Sequence, residues 1–412
     1  MEKRFRYRQK NVRDITVDDG LVRVWDTTGD LDRQGILQAF LPLLRTCFVS
    51  PYIALMPDHH LGVRQSGIGS MVGSVIPTQE VLLLAVIGGD IGCGVTAVKL
   101  PVEATDLRNV LPQLRDNLRA AIPTGAAHNA NVSRRVEENS LWQQDLQCGL
   151  LTNRLKRILI RQFASLGGGN HFLELQEDAD GSTWLMLHSG SRTLGVRIKD
   201  YYIEAGSEQV GIDTKAYRRI PHLPAACDLA VAYLSDLGFA LTFARESRKE
   251  MMRRAIEVVA LHSRTLQEAG TETVAERMLD VAHNYVAQET HLGETYYVHR
   301  KGAIRALDGE TVMIPGSMGT ASYIAEGRGN DFAFCSCSHG AGRVMSRHAA
   351  TRSISNKRFA ESMAGVEHEG DIRLKDESPL AYKDIHTVMR GQKDLVRIQT
   401  ELSPIMSIKG VN

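Results

Sequence analysis

The stretch VLLLAVIGGDIGCGVTAVKL, Val81–Leu100, holds two apolar runs separated by GGDIGCG. Aliphatic runs of this length bounded by glycine predict a buried strand, a tight loop and a second buried strand. The loop sets Asp90 and Cys93 three residues apart between glycines. Glycine permits the tight folding that would aim both side chains at one point. A turn aspartate beside a buried cysteine accounts for the same residues equally well, because free cysteine is usually buried.

Outward from this loop the chain alternates between strand and helix patterns. Upstream, FVSPYIALMPDHHLG (48–62) is a second apolar run, and the first hundred residues read as short strands with glycine turns. Residues 105–121 read as a helix, with Leu107, Val110, Leu111, Leu114 and Leu118 on one face behind a Thr105/Asp106 cap and Pro112 early in the segment. HFLELQEDADGSTWLMLHSG (171–190) reads as a hairpin turning at Asp180-Gly181. Residues 224–269 form the longest helical pattern. YYVHRKGAIRALDGETVMIPGSMG (296–319) returns to strands around a second Asp-Gly turn, Asp308-Gly309. Strands, then helices, then strands predict an α+β fold rather than a regular βαβ repeat. Neither an internal repeat nor a Pro/Ser-rich linker divides the chain. The expectation is one large domain over residues 1–412, with a β-sheet core, glycine-rich loops and the 224–269 helical segment packed on the sheet.

Composition narrows the function classes. With 49 basic and 48 acidic residues in 412, net charge does not point to nucleic acid, although a local basic patch can still serve. No apolar run reaches the length of a membrane span. The opening MEKRFRYRQKNVRD lacks the apolar core of a signal peptide. Both features predict a cytoplasmic location. The six cysteines (47, 93, 148, 227, 335 and 337) contain no CxxC, which argues against a zinc ribbon or a thioredoxin-like site.

Several segments carry residues suited to chemistry. LGGGNHFLEL places Asn170, His171 and Glu174 directly after three glycines. If NHFLE is a strand, Asn170, Phe172 and Glu174 share a face and His171 takes the other. WLMLHSGSR ends an apolar strand on His188, ahead of Arg192, and VAHNYVAQE places His283 on an expected helix. One carboxylate, one thiolate and three imidazoles suit a borderline divalent ion such as Mn²⁺ or Zn²⁺, and a bridging thiolate would let five ligands hold two ions. Each histidine alone is more often structural.

CSCSHGAGRVMSR (335–347) fits half of a zinc site, a redox pair, or an anion-binding turn that presents a reactive histidine. HGAGR and PGSMGTAS are glycine loops whose backbone amides can face an anion, with Ser317 and Ser322 as further donors. Neither loop fits a Walker A or dinucleotide fingerprint. Basic residues cluster at Arg154, Lys156, Arg157 and Arg161, and again at Arg343, Arg347, Arg352, Lys357 and Arg358.

In this order, MPDHHLG, GGDIGCG, GGGNHFLE, MLHSGSR, AHNYV, RKGA, PGSMG, CSCSHGAGRVMSR and AYKDI resemble the successive motifs of the RtcB RNA ligase family over roughly residues 55–410. The resemblance implies a GTP- and Mn²⁺-dependent ligase. Its substrates would be RNA ending in a 3′-phosphate or 2′,3′-cyclic phosphate and RNA with a 5′-hydroxyl, in tRNA splicing or RNA repair. It implies His339 as the nucleophile that carries a covalent GMP. One Mn²⁺ would be held by Asp90, Cys93 and His171, the second by Cys93, His188 and His283. Guanylate contacts would come from Asn170, His171, Phe172, Leu173, Glu174, Asn284, Pro315, Gly316, Ser317, Met318, Ser322, Gly340, Ala341, Gly342 and Lys409. Arg192, Arg343 and Arg347 would meet RNA or triphosphate oxygens, and an archease-like activator is an implied partner. On the same reading Cys335 and Cys337 are mainly structural. Departures from the family pattern are VRQSGIGSMV at Val63–Val72, Gly89 in place of Val, and Ser247 in place of Asn. Two other readings use the same residues: a dinuclear metallophosphoesterase acting on RNA ends, and a non-catalytic RNA-binding protein.

Overall fold

The computed structural model describes residues 9–18, 20–26, 35–62, 71–209 and 220–411. In chain order its strands are β1 (Val12–Val17), β2 (Gly20–Trp25), β3 (Ile53–Leu61), β4 (Met71–Thr78), β5 (Val81–Leu83), β6 (Gly94–Glu103), β7 (Phe172–Asp178), β8 (Ser182–Ser189), β9 (His222–Pro224), β10 (Leu279–Ala282), β11 (Asn284–His291), β12 (Glu294–Lys301), β13 (Ala303–Arg305), β14 (Thr311–Ile314), β15 (Ser322–Gly327), β16 (Ser336–Ser338) and β17 (Val396–Lys409). They assemble into a six-stranded sheet, β1-β2-β3-β4-β12-β11, and a seven-stranded sheet, β10-β6-β8-β7-β17-β15-β14. The pairs β13-β16 and β5-β9 complete the set. Every pairing is antiparallel except β2 with β3. Mixed α and β architecture with large sheets agrees with the α+β expectation.

Period-two alternation in β7 and β8 decides what each face of the seven-stranded sheet does. Leu173, Leu175, Leu185 and Leu187 point to one face and join the largest apolar cluster. The helix Asp228–Ala260 covers that face through Tyr233, Leu237, Ala240, Phe243, Met251, Ala255 and Val259, spaced by three, four or eight residues along one side. Leu237, Phe243, Met251 and Val259 each contribute about 1.5–3 kcal/mol on burial. Phe172 and Met186 point the other way, and by the same alternation so do Glu174 and His188. Register then lines up His188, Phe172 and Lys409 across β8, β7 and β17, with Met186, Glu174 and Ser407 in the next row.

The expected hairpin turns at Asp180-Gly181 as the sequence indicated, with Asp178 Oδ1 accepting the N–H of both Asp180 and Ser182. The segment 105–121 is broken into Ala104–Leu107, a 3₁₀ turn at Arg108–Val110 and a helix Leu111–Ala121 that begins around Pro112. Proline lacks the N–H an interior turn needs, so the helix restarts where that N–H is dispensable. The strands around Asp308-Gly309 do not pair with each other, because β13 pairs with β16 and β14 with β15. A helix at Ile36–Leu44 interrupts the strand pattern expected for the first hundred residues.

His283 corrects the sequence reading. It lies on no helix, but in the single-residue gap between β10, an edge strand of the seven-stranded sheet, and β11, an edge strand of the six-stranded sheet. Its N–H donates to Cys93 O (2.9 Å) and its own carbonyl accepts from Ala303 N–H (3.3 Å). The alternating apolar positions of VAHNYVAQE were ambiguous in so short a run, and pairing with β6 and β12 resolved them as strand.

Candidate active site

Four separate segments deliver the candidate metal ligands to the junction between the sheets. The GGDIGCG loop supplies Asp90 and Cys93 just before β6. His171 precedes β7, His188 stands near the end of β8, and His283 fills the β10–β11 gap. Cys93 Sγ lies 3.0 Å from His188 Nε2 and 3.6 Å from His171 Nε2. His188 Nε2 is 3.2 Å from His283 Nε2, and His171 Nε2 is 3.3 Å from Asp90 Oδ2. Two ligand-type groups result, Asp90–Cys93–His171 and Cys93–His188–His283, each with donor atoms within 4.8 Å of one another and with Cys93 in both.

The surroundings prepare these groups as ligands. His171 Nδ1 faces Leu166 O (2.8 Å) and His188 Nδ1 faces Asn170 O (3.2 Å). Each carbonyl is placed to accept an Nδ1–H, the usual way a carbonyl orients an imidazole whose Nε2 is to bind a metal. Burial, then neighbouring imidazoles, holds His188 and His283 well below the ordinary histidine range, so both rings are neutral. Burial, then the Asp90 charge, pushes the Cys93 thiol up. Burial would also raise Asp90, but His171 and Cys93 outweigh it and keep the carboxylate ionised. A divalent ion is the charge that would draw the proton from the Cys93 thiol. The donor set thus fits a pair of divalent ions.

The frame behind the ligands is rigid. Arg248, buried on the long helix, donates to Gly92 O (2.7 Å) and Ser189 O (2.9 Å) and pairs with Asp280 (2.7 and 2.9 Å). Asn284, expected at the guanylate, uses its amide to donate to Asp90 O (3.0 Å) and to accept from Gly302 N–H (2.8 Å). At Gly190 a Cβ would come within 2.2 Å of Asp90 Oδ1, so a side chain there would displace the carboxylate.

His339 follows β16, and its ring centroid is 4.8 Å from that of His283. Its Nδ1 lies 2.6 Å from Asp58 Oδ2, which also accepts its backbone N–H at 3.0 Å. Asp58 is fully buried on β3. Burial would raise its pKa, but the charge and hydrogen bond of His339 lower it. Gly342 packs on Asp58 at φ +73, where a Cβ would stand 2.1 Å from Asp58 O, so only glycine closes this loop. Within MPDHHLG nothing local marks Asp58 for this role, since 281 positions separate it from His339.

Glu174 accepts from Ser407 Oγ (2.8 Å) and Gln176 Nε2 (2.7 Å), and Gln176 also donates to Ser322 Oγ (3.0 Å). Ser322 Oγ in turn accepts Gly316 N–H (3.2 Å), and Ser317 N–H donates to Thr320 Oγ1 (2.7 Å). The HGAG loop abuts this region: a Cβ on Gly340 would lie 3.1 Å from Pro315 O. Asn170 is exposed at its edge. Leu173, Met318 and Ala341 bury their side chains in apolar clusters, which leaves only their backbone for a ligand.

The three arginines differ from one another. Arg192, at φ +56, donates to Gly125 O (3.0 Å) and packs against Gly167 beside His171. Arg343 and Arg347 surround Glu377 instead of projecting from the loop. Arg343 Nη1 is 3.1 Å from Glu377 Oε1, Arg347 reaches the same oxygen, and Lys409 Nζ is 2.8 Å from Oε2. Tyr382 donates to Oε2 (2.7 Å). Glu377 escaped the sequence reading; its position five residues before Tyr382 of AYKDI was the available signal.

Of the departures, Ser247 accepts Ala164 N–H at 3.0 Å. A side chain at Gly89 would press on Val196, whose Cγ2 would be 3.0 Å from the new Cβ. Most of Val63–Val72, residues 63–70, lies outside the described residues.

Known proteins share this chain's pattern almost end to end. The RNA-splicing ligase RtcB of Escherichia coli K12 is 35% identical over 415 residues, covering 96% of this chain and 99% of the relative. The RNA-splicing ligase RtcB of Mycobacterium tuberculosis is 31% identical over 424 residues, covering 86% and 96%. The tRNA-splicing ligase RtcB of Pyrobaculum aerophilum is 28% identical over 432 residues, covering 86% and 87%. A family model described as tRNA-splicing ligase RtcB matches residues 41–410, and with these relatives it places the chain in the RtcB family.

Proposed function

We infer that the chain is an RNA ligase acting in tRNA splicing or RNA repair. It joins RNA 3′-phosphate or 2′,3′-cyclic phosphate ends to 5′-hydroxyl ends through a covalent histidine–GMP on His339. Residues 1–412 act as one ligase domain in this reading, with GTP as co-substrate, two Mn²⁺ ions, a cytoplasmic location and an archease-like activator as partner. Among the described residues no helix is long and apolar enough to cross a membrane.

The observation that carries the reading is the Asp58–His339 contact beside the ligand cluster. By holding the proton on Nδ1, Asp58 leaves Nε2 with its lone pair. Nε2 attacks the α-phosphorus of GTP; the Nε2–P bond forms and the P–O bond to pyrophosphate breaks. Asp58 offsets the positive charge that grows on the ring. A 2′,3′-cyclic end is first opened by water to the 3′-phosphate; a 3′-phosphate oxygen then takes GMP from His339 as the Nε2–P bond breaks, and the 5′-hydroxyl attacks the 3′-phosphorus with GMP as leaving group. Asp90, Cys93, His171, His188 and His283 would hold the two ions, which supply charge neutralisation at phosphate oxygens. Glu174 offers a buried acceptor suited to the N–H edge of guanine, and Lys409 and Phe172 stand beside it. Arg192, near His171, is the arginine best placed to meet phosphate. The hydrolase and RNA-binding readings are not favoured, because the matching family model and relatives are described as ligases and a non-catalytic fold has no need of the intact donor set.

Intact-protein mass spectrometry tests this directly. With GTP and Mn²⁺ the chain should gain one covalent GMP, and His339→Ala should gain none. An adduct that persists in His339→Ala, or phosphate release from RNA ends without GTP and without any adduct, overturns the reading.

A further inference from the structure

A second cluster of ligand-type residues stands apart from the active site. β11 starts next to His283 and ends at His291, so His291 is roughly 25 Å from His283 along an extended strand. There His291 meets Asp331 and Cys335, with donor atoms within 4.8 Å of one another. His291 Nδ1 lies 2.8 Å from Asp331 Oδ1 and Nε2 lies 2.8 Å from Glu289 Oε2. Glu289 is in turn held by both terminal nitrogens of the buried Arg300 (2.5 and 2.8 Å). Asp331 Oδ2 accepts Leu292 N–H at 2.6 Å.

We propose that His291, Asp331 and Cys335 bind one borderline divalent cation of the zinc type, at a site separate from the Asp90 cluster. Nitrogen, thiolate and a single carboxylate oxygen are the donors such an ion prefers over the all-oxygen sets of magnesium and calcium. The Glu289 carboxylate on the far ring nitrogen orients His291 as carboxylates do behind metal-bound imidazoles. Charges balance: a divalent ion is offset by Asp331 and the Cys335 thiolate, and Glu289 is offset by Arg300. Cys335 and His291 are buried, whereas the Asp331 side chain is 44% exposed, which gives the ion a route in and a position for water. Phe334 and Cys335 both hold left-handed backbone, at φ 52 and 42, and this conformation brings the turn against His291. The ion would pin the β11–β12 hairpin tip to the segment that runs through β16 to His339, four residues beyond Cys335. Cys335 then takes the metal-ligand role that the sequence offered as one alternative for the Cys335/Cys337 pair, without Cys337 as its partner. Cys337 is fully buried among apolar side chains.

The competing account is an imidazolium clamped between Glu289 and Asp331 with no ion. Cobalt(II) distinguishes the two, because a thiolate ligand gives an intense charge-transfer band in the near ultraviolet. The metal-free full chain carrying Cys93→Ser, which removes the active-site thiolate, is titrated with Co²⁺. The expected result is a thiolate band whose amplitude at saturation corresponds to one Co²⁺–thiolate site per chain. Adding Cys335→Ser abolishes it, and adding Asp331→Asn weakens Co²⁺ affinity by about ten- to a hundredfold. Circular dichroism reports whether each variant folds; should Cys335→Ser not fold, loss of the band in His291→Gln carries the same test. Absence of the band in Cys93→Ser, or a band that survives both Cys335→Ser and His291→Gln, overturns the proposal.

Discussion

Glu174 and Glu377 are two fully buried glutamates that both feel the charge of Lys409, yet they are driven in opposite directions. Burial pushes Glu174 up to about 7, and hydrogen bonds from Ser407 and Gln176 with one nearby cation only partly oppose it. Burial acts on Glu377 in the same sense, but Lys409, Arg347 and Arg343 together bring it down to about 2. Desolvation is common to both; the number of cations in contact decides the outcome. Glu377 is a saturated anion in contact with Arg343, Arg347 and Lys409. Glu174 has one nearby cation and two hydrogen-bond donors, too little to offset its burial.

The largest expected effect comes from breaking the saturated member. Glu377→Gln removes the anion shared by Arg343, Arg347 and Lys409, of which Arg347 keeps Asp376 at 2.6 Å, and should lower stability by about 3–5 kcal/mol, read from urea unfolding at pH 7. Linkage gives the wild-type pH course. The folded pKa of Glu377 lies below its ordinary 4.5, so its contribution is present above pH 4.5 and is lost as pH falls towards 2. Glu174 runs the other way. Its folded pKa lies above 4.5, so the folded chain keeps a proton that the unfolded chain releases, and stability falls as pH rises from 4.5 through 7. Each shift corresponds to about 3 kcal/mol. Glu174→Gln should flatten the 4.5–7 limb, and unfolding curves at several pH values would show it; an unchanged limb breaks the comparison.

A third buried carboxylate sharpens it. Asp58 has one main partner, the His339 ring, so its removal should fall on rate more than on fold. Asp58→Asn is expected to slow GMP-adduct formation by about a hundredfold, about 2.7 kcal/mol, with a melting temperature near wild type. Single-turnover mass spectrometry measures the rate. The smallest effect belongs to the shared cation. Lys409→Met leaves Glu377 two arginines and should cost about 1–2 kcal/mol in unfolding free energy. It should also move both acid limbs to higher pH.

Local rules were readable along the chain. The Asp180-Gly181 turn and the long helix follow from residues a few positions apart. The five ligand-type residues were readable by chemistry and by family resemblance. His283 was misplaced on a helix because its strand is defined by pairing with β6 on one side and β12 on the other. Asp58 and Glu377 were missed because their partners lie 281 and about 30 positions away. The helix Ile36–Leu44 was missed because its apolar run with an internal Pro42 resembles the strands around it.

By itself the sequence determined the α+β class, the inventory of donors and the histidine that leads the HGAG loop, since residue type, glycine placement and short-range periodicity are local quantities. Tertiary structure alone decided which donors meet, which arginines stay available and which carboxylates are charged. Those properties depend on the distance between atoms brought from different sheets and on how many counter-charges share one buried volume, and neither is encoded at any fixed spacing along the chain.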